Sequence, residues 1–271
     1  MIKIVTDSTA YLPEETVRQH DISVVPLYVH FGTEAFREGV ELSNEEFYGR
    51  LKEAPELPTT SQPSAGEFHE VFAPLVDAGH EVITLTISSK LSGTWNSAMA
   101  AKEMLPDAPI SVVDTLSTSV GLHLMVEAAV EAAAAGASRQ EIVDQIEQIK
   151  QKTQIFFVVD TLEYLHKGGR IGVATRFIGS LLNVKPLVSV DHQTGRVEAA
   201  GQVRTRRRGL DMLYERFFEE LGAQEASPAA RMHIAVMHGD APLDAQKLTE
   251  RVEREHSPAE LLTDITGPVL G

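Results

Sequence analysis

Short apolar runs alternate with longer amphipathic segments through the first half of the chain. The apolar runs read IKIVTDS, ISVVPLYV, EVITLTI and ISVVDT, starting at residues 2, 22, 81 and 110. Helical patterns fall at residues 43–53, 64–78, 92–104 and 118–135. Consecutive strands that are separated by helices pair in parallel, because only a crossover connection brings the chain back to the same end of the sheet. The pattern predicts an α/β domain with helices flanking a mostly parallel sheet.

The second half of the chain has a different pattern. Gly136 ends a helix, Ser138 caps the next one, and the polar segment that follows could link two domains. Beyond it we expect strands, a Gly-rich turn and a helix at 173–182. KPLVSVD and RVEAAGQV around HQTG predict an antiparallel hairpin. Helices at 208–221 and 244–255 with strands MHIAVMH and LLTDI complete a mixed-sheet α+β domain.

Length and composition favour two domains. A chain of 271 residues with 43% apolar residues can fill two ordinary cores. We place the first domain at residues 1–150 and the second at 151–271. There is no cysteine, no apolar run long enough to cross a membrane, and no signal-peptide pattern at the start. We therefore expect a cytoplasmic protein without stable membrane insertion.

Charge is distributed unevenly along the chain. The formal net charge is −15, which argues against nucleic acid as a partner and against a DNA-associated regulator. Residues 1–150 hold 9 basic and 23 acidic side chains, and residues 151–271 hold 15 and 16. The one concentrated basic segment is RTRRR at 204–208.

Hydroxyl-rich loops follow several of the predicted strands. TTSQPS at 59–64 and SSKLSGTWNSA at 88–98 each lead into a helix, and VTDST and VDTLSTS are strand-end turns that carry Asp7 and Asp114. The carboxyl ends of parallel strands share one edge, where helix N-termini attract anions. A carboxylate or a phosphate would suit this edge. Each loop alone is also explained as a helix cap or an Asx turn, and Ser64 with Glu67 predicts a capping box.

The chemistry for turnover is missing from these loops. Hydroxyl and amide groups donate hydrogen bonds to an anion, but they do no acid–base work without an activating partner. HExxH, Walker A and GxSxG sequences are absent. His233 and His238 lie at odd spacing on one strand, so they do not predict a shared metal. The sequence therefore favours ligand binding over catalysis.

LEYLHKGGRIG at 162–172 completes a set of motifs that resembles one family. Together with TSQPS, SSKLSGTWNSA, VTDST, VVDT, LNVKPLVS, VRTR and HGD, in that order, it is similar to the DegV-family fatty-acid-binding proteins. The resemblance runs from residue 5 to the end of the chain. It implies a two-domain DegV-like fold that buries a long-chain fatty acid in a tunnel. The first domain would carry the head-group loops and the second would contribute the tunnel.

The family resemblance also implies a role and its residues. Similar proteins present the bound carboxylate to a separate fatty acid kinase, which forms an acyl phosphate for phospholipid synthesis. It implies no catalytic residue, no metal and no cofactor, with the fatty acid as ligand. The carboxylate donors would be Thr60, Ser61 and Ser92. Residues facing the head group or the kinase would be Arg170, Arg204 and Arg206. A head-group His generally follows GPVLG in the family, and here the sequence ends at Gly271.

Apolar residues of the second domain are candidates for the tunnel wall, although such residues are more often ordinary core. They are Phe156, Phe157, Ile178, Leu181, Leu182 and Leu187.

An alternative function remains open. A phosphotransferase or kinase-like enzyme could use KGGRIG, Asp7 and Asp114 to bind a small phosphorylated metabolite.

Overall fold

The computed structural model describes residues 1–177, 184–224, 232–256 and 258–268. The chain forms two compact units. One comprises Met1–Gln151 together with Gly267 and Pro268, and the other comprises Lys152–Thr266. The sequence division after residue 150 lies next to this boundary but does not include the return of the chain at Gly267.

A four-stranded parallel sheet forms the centre of the first unit. Its strands are β1 (Ile2–Asp7), β2 (Ser23–Val25), β6 (Glu81–Thr86) and β7 (Ile110–Asp114). Their order is β2-β1-β6-β7, and every pairing is parallel. The parallel sheet predicted from the alternating runs is confirmed.

Helices cover both faces of this sheet. They are α1 (Glu14–Gln19), α3 (Ala65–Asp77), α4 (Thr94–Glu103), α5 (Ser119–Ala134) and α6 (Arg139–Lys150). Alternate residues of a strand point to opposite faces. Ile4 accordingly packs in a core with α5 and α6, while Val5 packs with Phe68 and Phe72 of α3. The strands are buried on both faces, which explains their continuous apolar character.

The polar helix predicted as a domain linker is part of the first unit. Ser138 caps α6 in a capping box with Glu141. Ile142 and Ile146 are fully buried in the core that α6 shares with α5. The linker interpretation was wrong because two isoleucines at i, i+4 give an otherwise polar helix a narrow apolar stripe, which anchors it to the domain.

A small antiparallel sheet lies beside the main one in the first unit. It consists of β3 (Tyr28–Phe31), β4 (Glu34–Arg37) and β5 (Thr59–Ser61), in the order β4-β3-β5. Helix α2 (Asn44–Glu53) falls between β4 and β5 in the chain. Two expectations were wrong here. The run ISVVPLYV is not one strand, since Pro26 separates β2 from β3, and the expected loop TTSQPS contains strand β5.

The second unit contains a three-stranded antiparallel sheet. It comprises β8 (Ile155–Val158), β9 (Lys185–Val190) and β10 (Val197–Val203) in the order β10-β9-β8. The β9–β10 pair confirms the predicted hairpin. A short helix, α7 (Glu163–Lys167), occupies the expected turn. The helix predicted at 173–182 is a 3₁₀ segment over Gly172–Phe177, and residues 178–183 lie outside the described residues.

The rest of the second unit is built on a parallel strand pair. The elements are α8 (Arg206–Gln224), β11 (His233–His238), α9 (Pro242–Glu255) and β12 (Glu260–Ile265). Strands β11 and β12 pair in parallel across α9. Tyr214, Ile234 and Val252 form the core beneath the helices. The α/β fold class, with a parallel first sheet and mixed pairing in the second half, is confirmed.

The chain re-enters the first unit through a tightly enclosed glycine. A Cβ atom at Gly267 would overlap the Tyr11 ring, and it would lie 2.6 Å from Asn44 Oδ1 and 2.9 Å from Glu38 Oε1. Glu38 is buried and accepts a 2.6 Å hydrogen bond from Ser8 Oγ. Only glycine fits this position without displacing its neighbours.

Candidate functional site

The carboxyl edge of the parallel sheet is held together by side chains from neighbouring strands. Asp7 ends β1, and its Oδ2 accepts a 2.7 Å hydrogen bond from the backbone N–H of Ile87, just past β6. Asp114 ends β7, and its Oδ1 accepts a 3.0 Å bond from the N–H of Ser89. The carbonyl of Ser117 accepts a 2.7 Å bond from the N–H of Ser88. The structure thus joins three of the strand-end turns singled out in the sequence.

Asp7 is the most deeply buried carboxylate of this edge. Its Oδ1 accepts hydrogen bonds from the N–H of Thr9 at 3.0 Å and from the Thr9 hydroxyl at 2.5 Å. Burial raises the pKa of Asp7 to about 6, although the bonds from Thr9 and Ile87 act in the opposite direction. The removal of a carboxylate from water disfavours its charged form, so the fold keeps this group at an energetic cost.

Thr60 and Ser61 lie on β5 rather than in a free loop. Thr60 pairs with Val29 of β3 and is half-buried. Its hydroxyl has no hydrogen-bond partner among the described residues. The Ser61 hydroxyl lies 2.8 Å from Nε2 of His30, a contact that sequence analysis did not anticipate. Thr60 is therefore the freer donor of the two.

The segments that carry Thr60 and Ser92 meet through Gln62 and Gly93. A Cβ atom added to Gly93 would lie 2.9 Å from Nε2 of Gln62 and 3.1 Å from its Cδ. Gly93 is the N-cap of α4 and contributes no side-chain cap. The absence of a side chain at residue 93 is what allows the Gln62 amide to lie over the start of this helix. The structure thus brings the TSQPS and SGT segments together.

Ser92 immediately precedes the N-cap of α4 and is 9% exposed. Its Oγ lies 2.8 Å from the hydroxyl of Thr94 and accepts a 3.3 Å bond from the Thr94 N–H. The first N–H groups of a helix lack intrahelical partners, and together they carry a partial positive charge. Ser92 therefore stands at an electropositive helix end, which favours an anionic ligand.

Two further hydroxyls at this edge belong to the VDTLSTS turn but were not among the predicted carboxylate donors. Ser117 Oγ and Thr118 Oγ1 are buried and have no hydrogen-bond partner in the described part of the chain. Thr118 is the N-cap of α5 but makes no side-chain cap bond. A threonine before a helix normally signals such a cap. The pattern therefore gave no indication that these hydroxyls were unsatisfied.

The three arginines singled out in the sequence lie in the second unit and differ in their contacts. Arg206 is held by Asp160 at 2.9 Å and by Asp244 at 2.5 Å, and Asp160 also pairs with Lys185. The guanidinium of Arg170 donates to the carbonyl of its near neighbour Gly168. Arg204 is exposed, and it makes no ion pair within the described ranges. Of the three, Arg204 is the most available to an acidic partner.

The candidate tunnel residues occupy different surroundings. Phe156 pairs with Ser189 and Phe157 with Val188, so the two rings point to opposite faces of the β8–β10 sheet. Both are half-buried. Leu187 is fully buried, close to Gly201, and Gly201 itself lies against Met212 of α8. Ile178, Leu181 and Leu182 lie outside the described residues.

The groups on which the phosphotransferase alternative rested are already engaged in hydrogen bonds. The Asp7 carboxylate accepts three bonds, and Asp114 Oδ1 accepts from both Ser89 and Leu116. The described residues contain no cluster of His, Asp and Glu arranged to hold a metal ion.

Among those residues, no helix combines the length and apolar character needed to cross a membrane.

Fold and site together define a two-unit α/β protein with a hydroxyl-lined, anion-favouring sheet edge. Residues 1–271 match the family model described as "Uncharacterised protein, DegV family COG1307". A DegV domain-containing protein of Halalkalibacterium halodurans is 38% identical over all of this chain and 93% of its own length. The chain belongs to the DegV family.

Solved structures of similar proteins agree with this assignment. A Thermus thermophilus DegV family protein, described by its fatty acid binding, is 33% identical and superposes with a TM-score of 0.89 over 99% of this chain and 94% of its own. DegV of Bacillus subtilis, described as a fatty acid binding protein, is 35% identical with a TM-score of 0.87 over 100% and 94% of the two chains.

Proposed function

We propose that this protein binds a long-chain fatty acid and presents its carboxylate to a separate fatty acid kinase. Thr60 and Ser92 donate hydrogen bonds to the carboxylate, and Ser61 assists. The single observation that carries this assignment is the contact of Gln62 with Gly93, because it brings the two donor loops to the same helix N-terminus.

The chemistry of the donors suits a carboxylate. Thr60 is half-buried with its hydroxyl unengaged, and Ser92 is almost fully buried beside the start of α4. A buried carboxylate without donors would be costly or would take up a proton. Hydroxyls at a helix N-terminus supply donors without a full positive charge. The bound carboxylate thus stays ionised and nucleophilic.

The apolar tail supplies most of the binding energy. A chain of about sixteen carbons yields on the order of 12 kcal/mol when its methylenes leave water, before the cost of immobilising it. The Thermus and Bacillus proteins, both described as fatty acid binding, support this ligand class for their relative.

The proposed kinase step is a phosphoryl transfer to the bound carboxylate. An oxygen of the bound carboxylate attacks the γ-phosphorus of ATP, the bond to the bridging oxygen breaks, and acyl phosphate and ADP result. The kinase supplies the nucleotide and its magnesium. Arg204, exposed and unpaired within the described ranges, is the best placed of the three arginines to contact an acidic surface of that kinase.

The ligand is tested by extraction and binding. Organic solvent extracts of the purified protein, analysed by mass spectrometry, are expected to contain a long-chain fatty acid in near-stoichiometric amount. After delipidation, Thr60→Ala with Ser92→Ala should weaken palmitate binding at least about tenfold, the equivalent of about 1.4 kcal/mol. Ser64→Ala removes a hydroxyl from the same loop and should bind normally. An empty extract together with no palmitate binding would overturn the proposal.

The kinase role has its own test. The loaded protein, labelled ATP and a purified fatty acid kinase are expected to yield acyl phosphate, trapped as a hydroxamate, only when all three are present. Formation of product without the kinase would instead support the phosphotransferase alternative.

A further inference from the structure

Three consecutive backbone N–H groups of the loop after β6 each donate a hydrogen bond, and the three acceptors lie in different segments of the chain. The N–H of Ile87 donates to Asp7, that of Ser88 donates to the Ser117 carbonyl, and that of Ser89 donates to Asp114. This segment has left the strand pairing of β6, which ends at Thr86. Its conformation is therefore set by these contacts and not by the sheet ladder.

The pinned segment fixes the position of Ser92. The carbonyl of Ser88 accepts hydrogen bonds from the N–H groups of Leu91 at 2.9 Å and Ser92 at 3.1 Å. Ser88 Oγ also accepts from the N–H of Lys90 at 3.2 Å. Lys90, Leu91 and Ser92 are thus each tied back to Ser88. Ser88 itself lies between Ile87 and Ser89, the two residues that the aspartates hold. A displacement of Ile87 or Ser89 would shift the Ser92 hydroxyl.

Asp7 and Asp114 differ in how many of their carboxylate oxygens accept hydrogen bonds. Three donors converge on Asp7, and both of its oxygens accept. Asparagine could not replace it, because an amide offers only one accepting oxygen and turns an N–H₂ group toward a donor. At Asp114 both donors, the N–H groups of Ser89 and Leu116, converge on Oδ1 alone. An asparagine oxygen could accept both.

Asp114 is itself anchored from α6. Its backbone carbonyl accepts a 2.9 Å hydrogen bond from Nζ of the buried Lys150, and Lys150 also pairs with Glu147 at 2.7 Å. Through Asp114, the Ser92 loop is thus connected to the packed helix α6. Preorganised donors of this kind bind an anion more tightly than mobile ones, because the ordering cost has been met on folding.

We propose that Asp7 and Asp114 are positioning residues that set the Ser92 loop for recognition of a carboxylate. This inference rests on the proposed function. The aspartates do not touch the ligand, and they determine how strongly the protein prefers a fatty acid to an equally long molecule without a carboxylate.

The test compares palmitic acid with hexadecanol on the delipidated full-length protein, using displacement of a fluorescent fatty acid. The ratio of the two dissociation constants reports head-group recognition, whereas tail burial affects both ligands alike. Asp114→Ala should reduce the preference for the acid about tenfold, close to the effect of Ser92→Ala. Asp114→Asn should retain it. Asp7→Asn, unlike Asp114→Asn, should lose it.

A structural control separates positioning from general destabilisation. Ile146→Val trims a fully buried side chain of α6 and should lower stability by about 1 kcal/mol without changing the ratio. If Asp114→Ala fails to fold, Asp114→Glu, which keeps the charge but moves the acceptor, should still reduce the preference. An unchanged ratio in the Asp114 variants, with a reduced ratio in Ser92→Ala, would overturn this inference alone. A wild-type protein that binds neither ligand would overturn the proposed function as well.

Discussion

Tyr28 donates a 2.5 Å hydrogen bond to Oε1 of Glu67, the residue that closes the capping box of α3 with Ser64. Oε2 of Glu67 accepts from the N–H of Ser64 at 2.8 Å and from its hydroxyl at 2.7 Å. Partial burial raises the pKa of Glu67, but these hydrogen bonds outweigh it and leave the pKa below its ordinary value. The start of α3 is thereby tied to β3. The same strand pairs with β5, which carries Thr60.

Ser64→Ala should therefore affect stability and not ligand binding. Loss of the cap is expected to lower the free energy of unfolding by about 1 kcal/mol, measured by urea denaturation. Palmitate affinity should be unchanged, because Ser64 is engaged with Glu67. A matched Thr60→Ala should show the reverse pattern. Equal loss of affinity in both variants would contradict the separate roles assigned to these hydroxyls.

The buried Asp7 should make stability depend on pH. Its folded-state pKa is about 6 against an ordinary value of 3.8, so the folded protein binds more protons than the unfolded chain between these values. The stabilising effect of protonation is complete below the ordinary pKa and is lost as the pH rises through the folded pKa. Relative to Asp7→Asn, the wild type should lose roughly 2 kcal/mol between pH 4 and pH 7.

Urea unfolding of both proteins at several pH values measures this difference, and groups common to the two proteins cancel. A difference that stays constant across this range would show that Asp7 keeps its ordinary pKa in the folded state.

Gly93 and Gln62 should behave as a coupled pair. Gly93→Ala places a Cβ 2.9 Å from Nε2 of Gln62, and the flexible, exposed glutamine should move at a cost below about 1 kcal/mol. Palmitate affinity should fall because the amide no longer lies over α4. In a Gln62→Ala background the same substitution should have little effect on affinity. Additive losses in this double-mutant cycle would contradict the coupling.

Among the described glycines of the second unit, Gly172 should be the least replaceable. Its φ is +54°, and a Cβ there would overlap the Val197 carbonyl oxygen, which belongs to the backbone and cannot turn aside. Gly172→Ala is expected to lower the free energy of unfolding by at least about 2 kcal/mol. Gly222→Ala, on α8 with nothing within 4 Å, should be neutral or slightly stabilising. Similar urea midpoints for the two variants would contradict this.

Sequence patterns predicted the fold well where periodicity is strong. The buried strands of the first unit follow from the apolar runs that alternate with amphipathic segments along the chain. The starts of its helices follow from capping residues such as Ser64 and Ser138. Short elements were missed because a few residues carry too little pattern. The three residues of β5 become a strand only by pairing with β3, and α7 spans just Glu163–Lys167.

The candidate site was predictable only in part. Strand-end hydroxyls could be located because parallel strands share a carboxyl edge. The partners of those side chains could not be located. Nothing local distinguishes the free hydroxyl of Thr60 from that of Ser61, which contacts His30, or the internally paired Arg206 from the exposed Arg204. These differences depend on residues far away in the chain.

The enclosure of Gly267 by Tyr11, Asn44 and Glu38 makes the first unit discontinuous in sequence. Residues 152–266 are therefore an insertion with covalent attachments at both ends. A protease that cuts between Gln151 and Lys152 should leave the two fragments associated under native conditions. The downstream fragment still contains Gly267, which is enclosed by Tyr11, Asn44 and Glu38 of the upstream fragment. By the same reasoning, expressing residues 1–151 alone would expose the buried carboxylate of Glu38 to water.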